Sequence, residues 1–249
     1  MLFARRMVLA VCCLLLAAPV MAQLKAGDIA LVEYNTDGED EFAWVALCRL
    51  PANTVIRFTD SSVSNGCFRW TEHLGDVVSP GPLCWSHTNA LEAGTVVRWR
   101  GAMVRQWTVG QSSGAWPNLN SDGDQLVAYS GVISNNPSLP APWQGDAAGA
   151  VLLHAINFAN SGWDNVTGGD PESSFVPPGL SVSGGTAVHV SRLDNACYRG
   201  IREGDAGSLL KAIADPAHWI ATNDLTGVEG WGVWESFRVE PPGTVFSIR

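Results

Sequence analysis

Lysine is nearly missing from this chain of 249 residues: Lys25 and Lys211 are the only two, and 15 basic side chains stand against 24 acidic ones. Binding nucleic acid by counterion release needs a run of cations along the phosphates. A net charge of −9 with so little lysine is a poor match to that mode. The pattern fits an extracellular protein, or one that attracts cations. Metal-ligand spacings of the HExxH or CxxC kind are missing, as are a Walker loop and a GxGxxG opening a helix. No catalytic residue and no cofactor are therefore assigned. A second long apolar run is missing too, which argues against a membrane-spanning segment after the first twenty residues.

Those first residues have a layout of their own. Arg5 and Arg6 precede an uncharged apolar run from Val8 to Ala18, and Val20-Met21-Ala22 places small or β-branched residues where a signal peptidase cuts. Residues 1–22 are expected to be a secretory signal peptide and 23–249 a single domain, secreted to the periplasm or the extracellular space. Cleavage removes two of the 15 basic residues and none of the 24 acidic ones, which moves the net charge from −9 to −11. It also removes Cys12 and Cys13. Cys48, Cys67, Cys84 and Cys197 remain, an even number in an oxidising compartment, and two disulfides are expected. Four cysteines allow three connectivities. Cys67 and Cys84 bracket one irregular stretch and are the preferred pair, leaving Cys48 with Cys197.

Strand patterns dominate the rest of the chain. Residues 42–48 are apolar on both faces, as a central strand requires, while 54–59 and 95–100 alternate and 125–129 is a further strand. β-branched and aromatic residues populate all of them. One entry phrase recurs: a Gly or Asn, then Thr, then a β-branched or small pair, at 53–56, 94–97, 185–188 and 243–246. Helical periodicity is scarce. Residues 206–214 make a short helix that Asp215-Pro216 ends, and 151–159 is apolar enough for strand or helix. The expected fold is all-β: a two-layer antiparallel β-sandwich, immunoglobulin-like or lamin-tail-like, with long loops and few short helices.

Two acidic turns match each other, Asn35 to Asp40 and Asn120 to Gln125. Asn, Asp and Gly gather where a chain closes an Asx-turn or takes positive φ. The same oxygens are hard ligands, so Asp37, Glu39, Asp40, Asp122 and Asp124 also form a candidate calcium set, without the full EF-hand spacing. The five histidines form no close metal pair; His154 and His189 read as partly buried structural residues. Tryptophan is the unusual component, with 11 copies. Trp44 and Trp99 sit in strand patterns, whereas Trp70, Trp85, Trp116, Trp143 and Trp163 sit among Gly, Pro, Ser and Asn. Loop tryptophans on a rigid frame either pack their own loops or form flat apolar platforms for ligands. Trp116 and Trp163, with Asp164 and Asn165, are the candidate ligand contacts. Asn165-Val166-Thr167 is in addition an N-glycosylation acceptor, used if the source is a eukaryote.

The stretch from Ala26 to Leu47, the run from Pro51 to Asp60, Gly123 to Leu126, and Asp215-Pro216-Ala217-His218-Trp219 are similar to uncharacterised secreted bacterial domains found beside cell-surface sorting signals. The acidic turn before Glu41-Phe42 and the Ser-Asp-Gly-Asp turn before a strand resemble lamin-tail-like domains. The resemblance implies a β-sandwich with an extracellular interaction role and carries over no catalytic residue. The expected function is thus binding of an extracellular glycan, matrix component or protein. The alternative is a secreted hydrolase or an accessory domain of an extracellular nuclease-type enzyme, since lamin-tail-like modules accompany such enzymes.

Overall fold

The computed structural model describes residues 23–37, 40–70, 81–159, 162–163, 173–190, 193–225, 231–232 and 235–241. The expected signal peptide, Glu39 and the last entry phrase at 243–246 lie outside them. In chain order the strands are β1 (Ile29–Asn35), β2 (Glu41–Ala46), β3 (Thr54–Thr59), β4 (Val63–Ser64), β5 (Cys67–Phe68), β6 (Leu83–His87), β7 (Val96–Trp99), β8 (Gln111–Ser113) and β9 (Gln125–Gly131). They continue as β10 (Ser134–Asn135), β11 (Gly145–Asp146), β12 (Ala150–Asn157), β13 (Ala187–His189), β14 (Asn195–Tyr198), β15 (Glu203–Asp205), β16 (Trp219–Thr222) and β17 (Arg238–Glu240). A four-residue turn of helix, α1 (Gly101–Val104), and the nine-residue α2 (Ala206–Ala214) interrupt them.

The local reasons are the ones the sequence offers. Asn53, Gly94 and Gly185, the turn residues of the entry phrases, all adopt left-handed backbone at φ 61°, 86° and 76°, which Gly and Asn take at least cost. Asp205 caps α2 by accepting from the Gly207 and Ser208 amides. Asp215 then leaves the helical region, and Pro216 opens a short 3-10 turn instead of extending the helix.

Among the described residues, one sheet has the order β16-β14-β1-β2-β7 and a larger one the order β13-β12-β9-β3-β6-β8. Their facing sides enclose an aromatic core. Trp44 meets Trp85 edge-on with ring centres 5.0 Å apart, and Phe42 lies 4.9 Å from Phe58 and 5.5 Å from Trp107. Tyr34 stacks on Phe158 at 4.1 Å nearer the end of the sandwich. Aromatic pairs in these offset and edge-on geometries add stability beyond their buried area.

The larger sheet is buried on its other side as well. Leu126, Ala128 and Ile156 face the aromatic core, while Val127, Tyr129 and Ala155 point the opposite way, into a second cluster with Val63, Phe68, Trp163 and Leu180. A small sheet of order β10-β11-β5-β4 covers that side. The all-β sandwich expectation holds, with a third partial layer added to the two expected. Pairing is antiparallel except for β12 with β13 and β15 with β17.

The sheets are joined where both carry an irregularity. The β1–β2 register shifts between Leu31 and Glu33, and the β12–β9 register shifts between Leu152 and His154. These bulges turn backbone groups out of their own ladders. The Leu31 amide donates to His154 Nδ1 at 3.3 Å, and the Leu153 carbonyl accepts from the Gly27 amide at 2.8 Å. Leu31 lies in the first sheet and His154 and Leu153 in the second, so these contacts fix one sheet against the other.

A second device lies across the β16-β14-β1-β2-β7 sheet. Register places Cys197, Glu33, Ala43 and Arg98 in one line over β14, β1, β2 and β7. The methyl of Ala43 leaves room above β2 for the Arg98 guanidinium to donate to Glu33, with Glu41 3.5 Å from its other nitrogen. Both Glu33 and Arg98 are buried. Burial, chiefly, lowers the Arg98 pKa to about 10. Removing one partner of a buried pair strands the other charge. Arg98→Met is therefore expected to cost about 3–5 kcal/mol in urea unfolding, and the Glu33→Leu/Arg98→Met double variant to recover most of that loss.

Candidate functional site

The acidic turns are closed by their own side chains. Asn35 Oδ1 accepts the Asp37 amide at 2.8 Å, and Asn120 Oδ1 accepts the Asp122 amide at 2.9 Å. These are Asx-turns, the chemistry that places Asn and Asp there. Several carboxylates here accept from neighbouring amides of the protein, Asp60 and Asp124 while buried and Asp37 while exposed. Asp37 accepts from Asn195 Nδ2 at 2.5 Å; Asp124 accepts from the Asn120 and Gln125 amides; Asp60 accepts from the Asn118 amide at 2.8 Å. Such bonds hold the 118–125 segment on the end of the larger sheet. No group of three or more His, Cys, Asp or Glu side chains with metal-holding geometry occurs among the described residues. The candidate calcium set of Asp37, Asp40, Asp122 and Asp124 is thus not gathered into one such site, and Glu39 lies outside the described residues.

The tryptophans separate in a way local sequence does not foretell. Trp44, Trp85, Trp99 and Trp107 fill the main core. Trp163, expected as a platform, is only 5% exposed and packs in the second cluster, because the larger sheet needs cover on that side. Trp116 is half-buried against the main core, and the Arg105 guanidinium lies over its ring at 4.3 Å. That cation–π contact occupies an indole face a ligand would need. Trp163 is therefore loop core, and Trp116 is a covered ring. Asp164 and the Asn165 acceptor lie outside the described residues.

Two other loop tryptophans lie on adjoining chain segments instead. The ladder that pairs Phe68 with Gly145 continues to Trp70, whose amide donates to the Pro142 carbonyl at 2.8 Å, next to Trp143. Both indoles are half-buried. Trp70 borders the second cluster, while Trp143 is a member of neither hydrophobic cluster. The Asn136 backbone amide bonds the Gln144 carbonyl at 2.8 Å, and the side-chain amides of both residues brace the loop: Asn136 Nδ2 donates to Asp146 at 3.3 Å and Gln144 Nε2 to the Leu139 carbonyl at 3.4 Å. The shared Gly, Pro, Ser and Asn surroundings of all five loop tryptophans gave no means of singling out these two.

Cys48, Cys67, Cys84 and Cys197 all carry thiols. The expected Cys48–Cys197 bond is ruled out by register. Cys197 stands opposite Glu33, whereas Cys48 lies beyond Ala46, which stands opposite Ile29. At least four positions along β1, about 13 Å, separate them, and a disulfide needs Cα atoms within about 7 Å. The expected Cys67–Cys84 bond is not formed either. Cys67 is on the small sheet opposite Ser64, and Cys84 is on the larger sheet opposite Arg57. The Cys84 thiol donates to the Pro82 carbonyl at 3.3 Å.

One motif passed over in the sequence is Gly110-Gln111-Ser112-Ser113-Gly114, which has GxSxG spacing. A nucleophile elbow puts its serine between a strand and a helix. Ser112 instead lies inside the exposed strand β8, and its hydroxyl donates to the Arg105 carbonyl at 3.1 Å. The spacing is coincidental to that chemistry. No protein family, curated protein or solved structure matches the chain.

His154 is the most strongly perturbed histidine. Burial pushes its pKa down to about 3, with the nearby Gly185 backbone acting weakly in the other direction. The native state then excludes a proton that the unfolded chain binds near pH 6.5. Stability is full above that pH and declines as pH falls toward 3, by at most about 1.4 kcal/mol per pH unit from this group. His154→Asn keeps an acceptor for the Leu31 amide but does not titrate. Urea unfolding between pH 7 and 4 is expected to show the wild type losing its stability advantage over His154→Asn as pH falls.

Proposed function

We propose that this protein is a secreted, extracellular binding β-sandwich that engages glycans through Trp70 and Trp143. The observation that carries this reading is that two half-buried tryptophans, Trp70 and Trp143, sit on adjoining chain segments at the end of a small sheet that is backed by a fully covered one. Sugar rings present CH faces that pack on indole, and polar groups at the rim of such a surface bond the hydroxyls. A platform of this kind needs a rigid frame. The Trp70 amide bond to Pro142 and the pairing of β5 with β11 supply one.

Binding is favoured over the hydrolase alternative by what the carboxylates do. Asp37, Asp60 and Asp124 are engaged with Asn195 or with loop amides. A hydrolytic site wants carboxylates converging on a cleft. Secretion is supported by the charge and apolar layout of residues 5–22.

Glycan-array binding, read beside thermal melting, tests the proposal. Trp70→Ala and Trp143→Ala are expected to weaken glycan binding at least tenfold while the melting temperature moves by only a few degrees. Trp163→Ala is expected to lower the melting temperature strongly, as loss of a buried aromatic does. A wild-type protein that binds no glycan, or Trp70 and Trp143 variants that bind as well as wild type, would overturn it.

A further inference from the structure

Between the first turn of α2 and the start of β1 lies a pocket of about 530 Å³. That volume is in the range of small-molecule sites, which pair apolar walls with a few placed polar groups. Leu47, Ala93, Leu210 and Val239 supply the apolar walls. The polar groups are Lys25, Asp28, Cys48 and Glu240. The pocket shares no lining residue with the Trp70 and Trp143 surface, and its chemistry is independent of glycan binding there.

Asp28 is its chemical centre. The residue is only 6% exposed. Its carboxylate takes the Lys25 amide at 2.9 Å on one oxygen and the Lys25 ammonium at 2.5 Å on the other. Burial, and then the Asp28 charge beside it, push the Cys48 thiol pKa up to about 11. A buried carboxylate of this kind demands a cation or several donors.

The cation it has is weakly tethered. The Lys25 side chain is 79% exposed, so its long stem is held by the ion pair and by little packing. Fixing such a stem costs rotamer entropy, and the ammonium end of the pair stays open to water. An incoming ammonium with an apolar body would replace the ion pair and fill the apolar walls as well. Lys25 could not do both, because its own carbon chain lies in solvent.

Charge around the pocket favours a cation over an anion. Glu240 adds a second carboxylate to the wall, and its partner Arg238 is outside the lining. The helix N-terminus, the usual anion site, is already committed: Asp205 Oδ1 accepts the Gly207 and Ser208 amides. We propose that this pocket binds a primary alkylammonium compound, an amine carrying an apolar chain, whose head group displaces the Lys25 ammonium from Asp28. Lys25 is then an internal competitor that lowers the affinity for such ligands.

Isothermal titration calorimetry with n-octylammonium, and with n-octanol as the uncharged probe, tests this on the full protein. Wild type is expected to bind n-octylammonium, and Lys25→Ala, which removes the competing ammonium but keeps the Lys25 backbone amide on Asp28, to bind it at least fivefold tighter. Asp28→Asn is expected to lose at least tenfold, and Leu210→Trp, which fills the pocket, to abolish binding. Bound n-octylammonium should also slow iodoacetamide alkylation of Cys48 in wild type and Lys25→Ala. Absence of binding to Lys25→Ala, equal affinity in wild type and Lys25→Ala, or n-octanol binding as tightly as n-octylammonium would each overturn the proposal.

Discussion

Both faces of β9 and β12 carry large apolar side chains, and a sheet of that kind is stable only when each face is covered. One face is met by the β16-β14-β1-β2-β7 sheet. The other has no second full sheet to meet, so the chain leaves β3 at Thr59, folds back through β4 and β5, and lays Val63 and Phe68 over Val127 and Tyr129. Trp163 and Leu180 finish the cover from the long excursion after β12. What would be loops in a two-layer sandwich are here a third layer of core. This one requirement also decides the fate of the tryptophans: those able to reach an uncovered face are spent on it, and Trp70 and Trp143, at the margin of the cover, are left half-buried.

Covering a sheet does not by itself align it. Apolar contacts are non-directional, and a one-residue slip would put a strand's side chains on the wrong face. The directional contacts sit where slippage would be costly. The Leu31–His154 and Gly27–Leu153 bonds link the two sheets at their bulges, and the Arg98–Glu33 pair spans β1, β2 and β7 over the small side chain of Ala43. Each is buried, so a shifted register would leave donors or charges unpartnered, which costs more than the bond itself yields. The polar ends follow the same logic, with Asp60 and Asp124 holding the 118–125 segment by its amides. Their carboxylates serve architecture, which is why the chemistry of this protein is better sought at surfaces and pockets than in its acidic turns.

The two proposed sites depend on different kinds of feature. The tryptophan surface depends on residues at the margin of the core, left half-buried. The ammonium pocket depends on a carboxylate that the fold buried and then satisfied with a flexible, exposed lysine. In a chain with only two lysines, one of them being tied to a buried aspartate at a pocket wall is a specific arrangement, and it is where charge and cavity coincide.

Local pattern sufficed for much of this protein. Strands 54–59 and 125–131, the helix 206–214 with its stop at Asp215-Pro216, the left-handed turn residues Asn53, Gly94 and Gly185, and the Asx-turns at 35–37 and 120–122 are all set by side chains within a few positions of each other. Periodicity and turn chemistry are short-range, so they can be read along the chain. Tertiary structure alone decided which tryptophans are core, that Cys48 and Cys197 stand too far apart to bond, that Ser112 of a GxSxG spelling is a strand residue, and that Lys25, Asp28 and Cys48 share a pocket with Leu210 and Glu240. Those outcomes rest on register and on which faces meet. Both are set by contacts between residues distant in sequence, and composition, spacing and neighbouring residues carry no record of them.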